Sequence, residues 1–254
     1  DQLLVALGLY CTMEFGKFHQ RNPRIIEVAE KIGRTPSALA MKLSNLASLD
    51  PVIRESGRTG LAGASAADQA IWRELETAPE EIMPAVEQAL ANLAIPDLYL
   101  RPEQNVELAA ADYVAEDRLS LTRQRRGQEI FRKAVLSSYK HRCCLTGLAD
   151  PRLLVASHIV PWSEDAKNRL NPRNGLCLSS LYDRAFDVGL ITFSEDLRLM
   201  ISPELEVHSG NKYVEQSFIR EAGKQISMPT KFMPDGGFLS WHRRYKFIAN
   251  LIDS

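Results

Sequence analysis

The sequence predicts an α+β chain in three parts: a helical N-terminal domain over 1–60, an acidic helical connector over 61–117 and a mixed C-terminal domain over 118–254. Three observations carry that division. Apolar residues recur at helical spacing through the first 50 positions. Two short strand-like runs, a polar loop and a helix follow one another between Leu153 and Val188. Charge is also segregated along the chain. The 254 residues hold 31 Lys+Arg against 32 Asp+Glu, a net −1. Yet residues 1–60 carry 8 basic and 6 acidic side chains (+2), 61–117 carry 2 and 12 (−10), and 118–254 carry 21 and 14 (+7). Two basic ends flanking an acidic middle point to a polyanionic partner, which the average alone argues against.

Within the first part, Leu3, Leu4, Leu7 and Tyr10 mark one helix, and Ile25, Ile26, Val28, Ala29 and Ile32 mark a second that Gly33 ends. Thr35-Pro36-Ser37 is a strong helix start, with Thr as N-cap and Pro at the first helical position. The third helix runs through Leu39, Leu43 and Leu46 to about Ala47. Helix, Gly-containing turn and capped helix make a helix-turn-helix-like order. The stretch Ala29–Ala38 resembles many DNA-binding helix-turn-helix segments. In that reading Thr35, Ser37, Ala38 and Lys42 face the groove and Arg34 meets a phosphate. The same residues also fit a plain three-helix packing unit.

Ile71, Trp72 and Leu75, then Val86, Leu90 and Leu93, predict two helices in the acidic part, with twelve carboxylates making a solvated connector. A regulatory mimic of DNA is the less supported alternative. From Arg118 to Arg142 the chain holds 8 basic residues and one acid, Glu129. Arg123, Arg125 and Arg126 precede a helix whose apolar face is Ile130, Phe131, Val135 and Leu136, and contact with phosphate is expected of Arg125 and Arg126.

A hydrophobic content of 45% with 25% charged residues is that of a soluble globular protein. The longest apolar run, Leu3 to Cys11, is about half of a bilayer span, so no membrane segment is expected. It lacks the basic flank and cleavage site of a signal peptide. A start on Asp1 rather than Met suggests processing or trimming. Cysteines at 11, 143, 144 and 177 form no disulfide framework, and a reducing, cytoplasmic location is expected.

The chemistry-bearing stretch runs from Tyr139 to Ile191. Leu153–Ile159 reads as a strand ending in His158, followed by a polar loop with Asn168, Asn171 and Asn174. A second strand covers Leu176–Leu178, and a helix runs from Ser179–Ser180 to about Val188. Three motifs stand out: Ala-Ser-His-Ile-Val-Pro-Trp at 156–162, Asn-Pro-Arg-Asn-Gly-Leu at 171–176 and Leu-Tyr-Asp-Arg-Ala-Phe-Asp at 181–187. Over about residues 125–200 they resemble the HNH endonucleases, in particular the bacterial restriction endonuclease group. The resemblance implies that the C-terminal domain is a ββα-metal nuclease domain.

It also implies roles. His158 corresponds to the base that activates water, and a neutral imidazole can accept that proton near neutral pH. Asn174 corresponds to the central Asn that tethers the loop. Asp183 and Asp187 stand nine and thirteen residues after it, where colicin-type HNH nucleases place metal ligands. Carboxylates favour one hard divalent cation, Mg²⁺ or Mn²⁺. Their alternative roles are a solvent-facing acid and a helix-end cap.

Two departures accompany the match. Ser157 stands where Asp or His often supplies a ligand, and Tyr182 stands where related proteins commonly show His. Tyr182 therefore marks an impaired site, a phosphate contact, a variant mechanism or an engineered inactive form. Cys144-Leu145-Thr146-Gly147 resembles a zinc knuckle without its second cysteine, so a structural zinc is not expected. Beyond the site, a hairpin is expected around Ser194–Asp196. A tail helix is expected over Phe238–Leu251, with Trp241, Tyr245 and Ile248 packed and His242, Arg243, Arg244 and Lys246 facing outward.

The sequence thus predicts a metal-dependent endonuclease of restriction type acting on double-stranded DNA. Arg184, with Arg125 and Arg126, is expected on its backbone, and two chains are expected to cut the two strands as a homodimer. The alternative is a catalytically impaired DNA-binding or regulatory protein that retains the HNH scaffold.

Overall fold

The computed structural model describes residues 1–55, 63–95 and 115–249, with side chains described from residue 127 onward in the helix that begins at 115. Two compact units divide the chain at 137/138.

In the first unit, α1 (Gln2–Thr12) is buried over Val5–Cys11, almost all round its circumference. A Cβ on Gly8 would stand 2.7 Å from Leu90 Cδ1, so only glycine lets α6 (Pro79–Ala91) lie this close to α1. Tyr10 Oη donates to buried Asp50 at 2.7 Å, which ties α1 to the start of α4 (Pro51–Glu55). Between them, α2 (Pro23–Lys31) buries Ile25, Val28 and Ala29, and α3 (Pro36–Ala47) buries Leu39, Leu43 and Leu46. The turn joining them forms as its residues dictate. Gly33 adopts φ +66°, and Thr35 Oγ1 accepts the Ala38 amide at 3.2 Å. Such a cap contributes about 1 kcal/mol.

Helix α5 (Ala66–Thr77) starts with a reciprocal capping box between Ser65 and Asp68, and turns Ile71, Trp72 and Leu75 inward. Helices α5 and α6 pack against α1 and α3, so the apolar faces of the acidic segment join the N-terminal core. Helix α7 (Ala115–Ser138) buries Ile130, Phe131, Ala134, Val135 and Leu136, the face its sequence marks as apolar.

The second unit is built on two antiparallel hairpins. Strands β1 (Leu154–His158) and β2 (Gly175–Ser179) pair so that Leu154 faces Ser179 and His158 faces Gly175. Helix α8 (Ser180–Asp187) leaves β2 directly and packs back on both strands. Strands β3 (Ile191–Phe193) and β4 (Leu199–Ile201) form the hairpin around Ser194–Asp196. Two short helices follow, α9 (Pro203–Val207) and α10 (Lys212–Ser217). The last helix among the described residues is α11 (Gly236–Tyr245).

Helix α11 corrects the expectation for the tail. It ends at Tyr245, and its inward residues are Leu239 and His242, while Tyr245 is 60% exposed. His242 is accepted into the core because both ring nitrogens are partnered. Thr192 Oγ1 bonds Nδ1 at 2.9 Å, Nε2 bonds the Phe186 carbonyl at 3.1 Å, and the ring stacks on Phe186. Burial pushes its pKa down to about 4. A charge count cannot reveal such a partnered, neutral histidine.

The four cysteines are free and buried. No helix among the described residues is long and apolar enough to cross a membrane.

Candidate active site

The site grows from the end of the β1–β2 hairpin. The chain leaves β1 at His158, makes a loop, and re-enters at Gly175 opposite it. Asn174 closes that loop from within and is fully buried. Its Oδ1 accepts the Val160 amide at 2.8 Å, and its Nδ2 donates to the carbonyls of Val160 and Asn168 at 3.1 and 3.2 Å. With the Ile159 amide on the Asn174 carbonyl at 3.0 Å, both ends of the loop hang on one residue. Each amide atom of Asn174 is used, which is what a buried carboxamide requires.

His158 sits at the start of this loop. Its Nε2 is 2.8 Å from the main-chain oxygen of Arg169. A carbonyl can only accept, so Nε2 carries the proton and Nδ1 holds the lone pair of the neutral ring. Burial lowers the pKa of His158 below its ordinary 6.5, and the bond to Arg169 partly offsets that. The ring therefore stays uncharged at neutral pH. Trp162 stands edge-on to it, with centroids 5.7 Å apart.

The carboxylates come from α8. One helical turn separates Asp183 from Asp187, which places them on one face. Asp183 is pushed up to about 6, mainly by burial and further by the charge of Asp187, while Ser157 and Arg184 pull it down. Asp187, nearer the surface, is raised by partial desolvation against the pull of Arg184 and Lys246. The Ser157 hydroxyl is buried without completing a hydrogen bond of normal geometry, yet it lies near enough to favour the Asp183 carboxylate. The residue preceding His158 and the first acid of α8 are thereby neighbours. Arg184 is exposed on α8 and acts electrostatically on both acids.

These donors suit a hard cation. Among the described residues no group of three or more His, Cys, Asp or Glu is gathered as a metal cage. Asp183 and Asp187, on one face of α8, are the residues that could hold a hard cation, with water and phosphate completing its shell. A half-buried acid whose pKa is raised is also what a nearby divalent charge would relieve.

Tyr182 does not extend this donor set. It is 4% exposed, donates its hydroxyl to the Ser217 carbonyl and packs on Phe218, so it anchors the end of α10. Burial, with the charge of Glu221, lifts its pKa to about 12. In the first unit, Lys42 is ion-paired with buried Asp68 at 2.8 Å and so braces α3 on α5. Arg34 is exposed and donates to Gln2 at 2.8 Å, and Ser37 Oγ lies 3.1 Å from the Thr35 hydroxyl. The side chains of Arg125 and Arg126 lie outside the described residues. Sequence reasoning assigned no role to Arg169 or Trp162, because the link from position 158 to 169 is made through a main-chain carbonyl.

Residues 143–194 match the HNH endonuclease family. That span holds β1, the Asn174 loop, β2, α8 and β3, which is the segment the sequence motifs resemble. No curated protein matches the chain.

Proposed function

We propose that this chain is a metal-dependent endonuclease that hydrolyses phosphodiester bonds of duplex DNA, with a restriction-type role. The observation that carries the reading is His158 held by its Nε2 on the Arg169 carbonyl at the end of β1, in a loop closed by buried Asn174, within the segment that matches the HNH endonuclease family. With its Nε2–H donated to the Arg169 carbonyl, His158 takes a proton from attacking water at Nδ1. As the new P–O bond forms, the 3′ oxygen departs and gains a proton from solvent. Asp183 and Asp187 would hold the divalent cation. When bound, it supplies Lewis-acid stabilisation of the pentacovalent phosphorus and the leaving oxygen. Asn174 keeps the loop in register, so His158 does not drift from the strand end. In the first unit, Arg34, Thr35, Ser37 and Ala38 serve duplex recognition, whereas Lys42 is committed to Asp68. Two chains are needed to cut both strands.

The test is incubation of unmodified and methylated plasmid with Mg²⁺ or Mn²⁺. Conversion of supercoiled to nicked or linear DNA supports the reading, and intact plasmid under all conditions refutes it. One observation favours a second reading, a silent DNA-binding protein on an HNH scaffold. Tyr182 fills a position where related proteins commonly carry His, and it is consumed by packing. Cleavage gained only by Tyr182→His would establish that reading.

A further inference from the structure

The loop that holds His158 carries a cation for which the described residues provide no counter-ion. Arg169 is half-buried, and its guanidinium carbon stands 5.2 Å from the centre of the Trp162 ring. Its Nε donates to the Trp162 carbonyl at 2.7 Å, and its own carbonyl receives His158. Trp162 in turn meets the His158 ring edge-on. The three residues therefore form a closed circuit in which Arg169 is fixed at its backbone, at Nε and on its flat face.

The Nη groups of Arg169 and the indole N–H of Trp162 take no acceptor among the described residues. Neither acid of the loop pairs with it: Asp165 accepts the Lys167 amide at 3.1 Å and Asn168 Nδ2 at 2.7 Å, and exposed Glu164 makes no ion pair with Arg169 among the described residues. Arg173 differs, because Asp235 neutralises it at 3.0 Å. A half-buried guanidinium held rigid without a carboxylate is arranged for an anion from outside, and a planar fork of donors suits phosphate oxygens. An aromatic ring beside it suits the sugar or base of the same strand.

We propose that Arg169 and Trp162 form a backbone-phosphate site that positions the nucleic-acid strand against His158. The proposal rests on the nuclease reading above and adds the groups that seat its substrate. Side-chain donors of Arg169 hold the phosphate, its carbonyl sets the His158 tautomer, and Trp162 limits how the strand can lie.

The test measures binding of the full chain to a fluorescent 20-base-pair duplex in EDTA across a salt series, so cleavage does not enter. Arg169→Gln is expected to weaken binding about tenfold and to reduce the slope of log K against log salt by about 0.9, the loss of one phosphate contact. Arg169→Lys, which keeps the charge, is expected to keep the slope. Addition of unlabelled duplex is expected to quench tryptophan emission in the wild type and not in Trp162→Phe. An unchanged affinity and slope in Arg169→Gln overturns the proposal even if the wild type cleaves DNA. Should Arg169→Gln fail to fold, the Trp162→Phe comparison decides, and equal quenching in both chains overturns it. Loss of the nuclease reading would show separately, as an uncut plasmid.

Discussion

The main-chain carbonyl of Arg169 lies 2.8 Å from Nε2 of His158, eleven residues earlier in the chain. That bond leaves the lone pair of the neutral imidazole on Nδ1, the nitrogen through which the proposed base acts. It also ties the ring to a loop that Asn174 closes. The proposed chemistry thus depends on groups that bring no reactive atom of their own.

Asn174→Ala leaves the Val160 amide and two carbonyls without their buried partner. It is expected to cost about 2–4 kcal/mol, since each orphaned buried group carries a desolvation penalty of about 1–3 kcal/mol. Thermal or urea unfolding measures it. A variant as stable as wild type contradicts the role given to Asn174.

Activity should be lost in acid and level off toward neutral pH, with excess divalent cation moving the loss to lower pH by competing with the proton on Asp183. Asp183, pushed up to about 6, must lose its proton to hold a cation, and His158, already depressed by burial, must be neutral to accept one. Both requirements have the same sign, so acid removes activity and neutral pH does not. A profile of kcat/KM against pH tests this, and a maximum below pH 5 refutes it.

His242 makes a separate prediction about stability. Its pKa is about 4 in the folded chain and near 6.5 unfolded, so the unfolded chain binds more protons between those values. Stability from His242 is therefore complete above about 6.5 and is lost as pH falls toward 4, to a total of about 3 kcal/mol. Asp183, raised in the folded state, acts with the opposite sign over about 4–6. The comparison is consequently wild type against His242→Asn, and their stability difference should shrink on acidification. A constant difference excludes the assignment.

Gly189 terminates α8 at φ +78°, and a Cβ there would stand 2.0 Å from the Lys246 carbonyl. That neighbour is backbone, and the Gly189 carbonyl also receives the Ile248 amide at 3.0 Å. Gly189→Ala is expected to cost more than about 2 kcal/mol, from strain and displacement together. Calorimetry of the variant checks this, and an unchanged Tm contradicts it.

The strands, the α8 helix and the capped turn at Thr35 were legible because each rests on local chemistry: short apolar runs bounded by polar turns for β1 and β2, and a Thr cap with proline at the first helical position for α3. His158, Asn174, Asp183 and Asp187 were singled out through motifs that resemble the HNH endonucleases, and the roles given to them belong to the proposal above. His242 was not, because its partners are Thr192 and the Phe186 carbonyl, distant in sequence and one of them main chain. Lys42 read as a groove-facing cation, because its pairing with Asp68 arises only when α5 packs on α3. Arg169 and Trp162 lay within the Tyr139–Ile191 stretch without a role for the same reason: their contacts arise only in the tertiary structure.

The most direct measurement is the single-turnover cleavage rate of His158→Ala beside wild type, with Mg²⁺ or Mn²⁺ and duplex DNA. A positioned general base contributes about 10²–10⁴-fold, so the variant should cut at least about a hundredfold more slowly while keeping its fold and its DNA affinity. Cleavage by His158→Ala at the wild-type rate would contradict the account at its centre.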